Sequence, residues 1–95
     1  MSQFIVVSYD IVDDQKRARV ARVLKDYGAR VQYSVFECKI NEKQIIDLKN
    51  RLTKAINLKE DSIRIYSVCQ ECTKKITLIG ESTTIQEDQP DYFVI

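Results

Sequence analysis

Ninety-five residues are enough for one compact domain, and the mix of 44% apolar and 31% charged residues is that of a folded globular chain, not a disordered one. No apolar run approaches the roughly 20 residues of a membrane span, so membrane functions are not expected. The net charge of +1 conceals an asymmetry: four acidic residues (Glu81, Glu87, Asp88, Asp91) follow position 80, where no Lys or Arg occurs, so all fifteen basic side chains lie in residues 1–80. The chain is therefore read as a core over residues 1–80 followed by an acidic tail over 81–95. The opening stretch MSQFIVVSYD has no basic n-region and runs directly into a strand pattern, so a cytoplasmic protein is expected. Three cysteines are too few, and odd in number, for a disulfide framework.

Residues 3–9 form a β-branched and aromatic run with little alternation, the pattern of a central strand buried on both faces. Asp13 is a plausible N-cap, and Val20, Val23, Leu24 and Tyr27 recur at helical spacing. Together they predict a helix over about 14–27, stopped by Gly28. Residues 29–40 read as two short strands reversing near Gln32–Ser34. Asn41 with Gln44 makes a capping-box variant ahead of the apolar stripe Ile45, Leu48, Leu52 and Ile56, a second helix. Residues 62–68 alternate as a strand, and Ile76–Ile79 suggest a further edge strand ending at Gly80. The order is βαββαβ plus an extra C-terminal edge strand. Its fold class is α+β, the ferredoxin-like split βαβ arrangement, with two helices on one sheet face. The other face would be bare, which favours a bound ligand or a second subunit.

The chain has no His, so the usual neutral-pH acid–base group is missing, and two glycines cannot build a phosphate loop or a dinucleotide fingerprint. The segment SVFECKI does not match the aromatic signature of an RNA-recognition motif. Six basic residues between Lys16 and Arg30 suit either phosphate contacts or a solvated helix face. Asp10 ends the first strand just before the helix opens. It reads either as a turn or capping aspartate or as a Mg²⁺ ligand, since Mg²⁺ is often held by one or two protein carboxylates. A two-fold dimer with this strand end near its axis would supply two such carboxylates, and a metal between them would activate water and clamp a phosphodiester. Cys69-Gln70-Glu71-Cys72 is read as two loop thiols, with a dimeric four-cysteine site or a redox pair as alternatives. Tyr33, Phe36 and Tyr66 are expected to pack rather than to stack on bases.

Three segments carry a resemblance. Ser8-Tyr9-Asp10-Ile11, followed by Asp13-Asp14 and Lys16-Arg17-Ala18-Arg19-Val20, resembles the opening motif of the small CRISPR-associated protein two family. Tyr27 to Glu37 (YGARVQYSVFE) is similar to its distinctive second motif, and Ser62-Ile63-Arg64-Ile65-Tyr66 to its later strand. The resemblance covers residues 3 to about 80. It implies a ferredoxin-like homodimer that partners the CRISPR integrase subunit in spacer acquisition, with Mg²⁺-dependent endonuclease activity on single-stranded RNA or double-stranded DNA. The alternative is a non-catalytic dimeric adaptor that binds DNA for the integrase. By the same resemblance, Asp10 is the catalytic and metal-binding residue, Arg17, Arg19 and Arg30 meet nucleic acid, and Tyr9, Ser34 and Phe36 support the site. On a helical wheel centred on Val20, Arg17 lies about 60° to one side and Arg19 about 100° to the other, so both are expected to flank the buried stripe. Arg17 is expected near the rim that carries Asp10. The tail ends in Tyr92-Phe93-Val94-Ile95, which is expected to dock on a sheet edge, with the integrase favoured by the resemblance.

Overall fold

The computed structural model describes residues 2–80; the expected acidic tail lies outside them. Strands β1 (Ser2–Asp10), β2 (Gly28–Gln32), β3 (Val35–Asn41) and β4 (Ser62–Val68) alternate with helices α1 (Asp14–Lys25) and α2 (Glu42–Ala55), and a short helix α3 (Gln70–Thr73) follows β4. The sheet order is β2-β3-β1-β4 with every pairing antiparallel, the ferredoxin-like arrangement expected from the order of elements.

Local chemistry explains the boundaries. The Asp13 carboxylate accepts from the Lys16 amide at 2.8 Å, satisfying one of the orphan donors at the start of α1. The helix ends on tightened bonds from Asp26 N to Val23 O and from Tyr27 N to Leu24 O. Gly28 is not the helix terminator: it is the first residue of β2, paired with Cys38. A Cβ there would fall against the Glu37 carbonyl oxygen, 2.6 Å from Cys38 Sγ and 2.8 Å from Cys38 Cα, so glycine serves the close approach of two strands. The capping box at α2 forms in full, Asn41 Oδ1 accepting from Gln44 N at 2.8 Å and Gln44 Oε1 from Asn41 N at 2.9 Å. Ahead of β4, the Asp61 carboxylate accepts the Asn57 amide at 2.9 Å, which reconciles its burial with its polarity.

The core lies between the sheet and the two long helices. Ile5, Val7 and Tyr9 of β1 and Phe36, Cys38 and Ile40 of β3 meet Val20 and Leu24 of α1 and Ile45, Leu48 and Leu52 of α2. Each such aliphatic or aromatic side chain contributes about 1.5–3 kcal/mol through burial. At the surface, Tyr27 donates to Asp47 at 2.6 Å and accepts from Arg51 at 3.1 Å, while Arg51 also donates to Asp26 at 3.1 Å, tying the end of α1 to α2.

Four expectations change. β1 is central but not buried on both faces along its length: Ile5, Val7 and Tyr9 face the helices, while on the opposite side Phe4 is buried at the end toward which α3 leans and Val6 and Ser8 remain partly exposed. Ile65, opposite Val7, packs against the helical core, whereas Tyr66, opposite Val6, stands 50% exposed on the uncovered side. Residues 76–79 form no strand with the described residues. Helix α3 leans toward β1, so the backbone leaves β4 across the sheet instead of along its outer edge, and Ile79 stays 91% exposed. Cys69 and Cys72 do not sit in a loop, since Cys69 caps α3 and Cys72 lies inside it.

Candidate active site

Asp10 is the last residue of β1 and pairs with Ser62 at the final rung of the β1–β4 ladder. Strand alternation carries Tyr9 into the core and leaves Asp10 exposed at the rim. No hydrogen bond or ion pair engages its carboxylate among the described residues.

A cleft of about 420 Å³ opens beside it, lined by Tyr9, Ile11, Asp14, Arg17, Arg30 and Ser34, with Asp10 itself on its wall. A larger cleft, about 680 Å³ and mostly apolar, lies at the far end of β1 around Phe4 and Val68, away from these polar groups. The smaller cleft gathers most of the residues singled out from the sequence. Arg17 reaches the rim as expected, but what it braces is the β1–α1 connection: it donates to Ile11 O at 2.8 Å and Val12 O at 3.3 Å and pairs with the Asp14 carboxylate. Arg30, on the edge strand β2, stacks its guanidinium 5.5 Å from the Phe36 ring centroid, and its Nε is buried without a hydrogen-bond partner among the described residues. A register shift between Arg30 and Gln32 marks an edge irregularity of the kind that re-aims side chains.

Tyr9 and Ser34 hold the opposite wall. The Tyr9 amide donates to Ser34 O and its hydroxyl to Tyr33 O, each at 3.1 Å, so the β2–β3 turn is bolted to the end of β1. Phe36 is fully buried below, its ring 6.3 Å from that of Tyr9. Three positions depart from expectation. Arg19 is exposed on α1 and does not line the cleft, because its side of the helix turns to solvent. Tyr33 does not pack: it sits 86% exposed at the tip of the turn, where only its carbonyl is used. Asp14 was not anticipated at the site, although its i,i+3 spacing to Arg17 marks it in the sequence.

The chemistry of the arrangement is a divided one. Two guanidiniums suit anionic oxygens, and one unpaired carboxylate suits a cation. Among the described residues no three His, Cys, Asp or Glu side chains cluster as a metal site. A cation at Asp10 would thus have a single carboxylate per chain, the sparse protein coordination Mg²⁺ accepts and zinc does not. The uncovered sheet face also carries Glu37, opposite Val6, whose carboxyl burial pushes above its ordinary value.

The model for the family described as CRISPR associated protein Cas2 matches residues 1–76. A CRISPR-associated endoribonuclease Cas2 of Chloroflexus aurantiacus is 43% identical over 95 residues, covering 100% of both chains. Cas2 of Streptococcus pyogenes, solved at pH 6.5, superposes with a TM-score of 0.72 at 35% identity, covering 81% of this chain and 99% of that one. A chain of a partial Cas6-RT-Cas1–Cas2 complex gives a TM-score of 0.71 at 28% identity, covering 81% of this chain and 84% of its own length.

Proposed function

The chain belongs to the CRISPR-associated Cas2 family, and on that premise we propose that it is a homodimeric, Mg²⁺-dependent phosphodiesterase acting on nucleic acid in spacer acquisition, alongside an integrase subunit. The observation that carries this reading is the unpaired Asp10 carboxylate at the end of the central strand, on the wall of a cleft that also presents Arg17 and Arg30. The endoribonuclease name of the Chloroflexus aurantiacus relative and the Cas1–Cas2 assembly of the structural neighbour support the activity and the partner.

The exposure of Tyr66 and the partial exposure of Val6 on the sheet face away from the two long helices support a two-fold dimer through that face. Asp10 from each subunit would hold the metal, which when bound supplies Lewis-acid activation of water and charge neutralisation at phosphate. Arg30, on the cleft wall, offers its guanidinium charge to a phosphate oxygen. Arg17 fixes the backbone that follows Asp10, and Tyr9 fixes the turn across from it, so the carboxylate is presented from a rigid frame. The test is cleavage by the wild-type chain in Mg²⁺ and in EDTA, on single-stranded RNA and on duplex DNA. Cleavage of either in Mg²⁺ alone is expected. Binding without cleavage in both conditions would leave the adaptor reading.

The exposed arginine on α1 gives a separate expectation. Because Arg19 is solvent-facing, Arg19→Ala should reduce the slope of log K against log salt for duplex DNA by about 0.9, the increment for one phosphate contact. An unaltered slope would show that Arg19 touches no phosphate.

A further inference from the structure

Two of the three cysteines are exposed and share one turn, while Cys38 is buried in the core. Cys69 stands at the N-cap of α3 and Cys72 is its third helical residue. The Cys72 amide donates to Cys69 Sγ at 3.3 Å, so the first sulfur lies over the backbone of the second cysteine. Cysteine is not among the residues that cap helices well; Ser, Thr, Asp or Asn would do so better. Capping therefore does not explain Cys69, and two ligands within one chain do not make a zinc site.

We propose that Cys69 and Cys72 form a reversible dithiol–disulfide site that exchanges with low-molecular-weight disulfides of the glutathione type. The roles of the two sulfurs differ. The Cys72 amide and thiol both donate toward Cys69 and hold its thiol below the ordinary value, whereas the same pairing and the charge on Cys69 push Cys72 up. Cys69 is accordingly the attacking thiolate and Cys72 the resolving thiol. The Cys69 thiolate attacks one sulfur of the small disulfide, forming a mixed disulfide and expelling one small thiolate. Cys72 then loses its proton and attacks Cys69 Sγ, forming the intramolecular bond and expelling the second. Two electrons pass to the small disulfide, which leaves as two thiols carrying the protons of the protein pair. Cys38, buried and pushed up to about 12, takes no part. The site borders the apolar cleft around Phe4 and Val68, so oxidation would staple the turn that carries the chain away from β4.

The test equilibrates the reduced full-length chain across ratios of glutathione to glutathione disulfide, quenches with acid, alkylates and reads the peptide masses. A Cys69–Cys72 peptide lighter by two hydrogens, with Cys38 reduced throughout, is expected. Cys72→Ser should stall as a glutathione adduct on Cys69, formed at least about tenfold faster than the adduct on Cys72 in Cys69→Ser. Serine retains the cap, so both variants keep α3. Absence of the intramolecular disulfide at every ratio, disulfides between chains in its place, or equal adduct rates in the two variants would each overturn the proposal.

Discussion

Asp10→Asn should lower Mg²⁺-dependent cleavage by at least about a hundredfold, the effect expected when one preorganised charged group is removed from a reacting phosphate. The substitution is nearly isosteric, and the Asp10–Ser62 rung is a backbone pairing that does not involve the side chain. The carboxylate has no partner among the described residues to lose, so stability should stay within about 0.5 kcal/mol of wild type. Rate measurements beside a thermal melt check both halves. Full activity in the purified variant would remove Asp10 from the chemistry. Lost activity with a large fall in melting temperature would make it structural.

Gly28→Ala should destabilise the fold by about 2–3 kcal/mol, lowering the melting temperature by on the order of 10 °C. Two of the atoms the new methyl group meets, Glu37 O and Cys38 Cα, belong to the β3 backbone and cannot swing aside. Relief requires opening the β2–β3 ladder at its first rung. Gly28→Asn separates this cause from the helix-terminator reading. Asparagine is tolerated where a left-handed cap is needed, but here its larger side chain should be worse than alanine. A melt of the two variants decides: an asparagine variant more stable than the alanine one would restore the cap.

That glycine shows where reading the residues alone reaches its limit. Elements with local causes were legible: the Asp13 cap, the Asn41–Gln44 box and the β2–β3 reversal all depend on neighbours within a few positions. Gly28 follows a helix and so resembles a cap, but its reason lies ten residues on, at Cys38. Ile65 and Tyr66 likewise differ by one step of a strand, and only the register opposite Val7 and Val6 decides which faces the helices. At the site, Asp10, Arg17 and Arg30 were found by motif, and the structure brings them to one cleft. Arg19 belongs to the same motif, but its angle on α1 takes it to solvent, outside the cleft. The bracing of Ile11 O and Val12 O by Arg17 was not legible, because side-chain bonds to backbone carbonyls leave no trace in residue type.

Strand β1 is hydrogen-bonded on both edges, to β3 and to β4. Its central amides point alternately into the two ladders, so freeing the strand as a whole requires breaking both, and the strand that carries Asp10 should belong to the slowest-exchanging part of the molecule. The walls of the cleft hang from far fewer bonds: the 33–34 turn from two contacts with Tyr9, and residues 11–12 from the guanidinium of Arg17. They open locally on a much shorter timescale than the strand itself. The rim of the cleft is thereby free to open while the strand backbone beneath Asp10 holds its place.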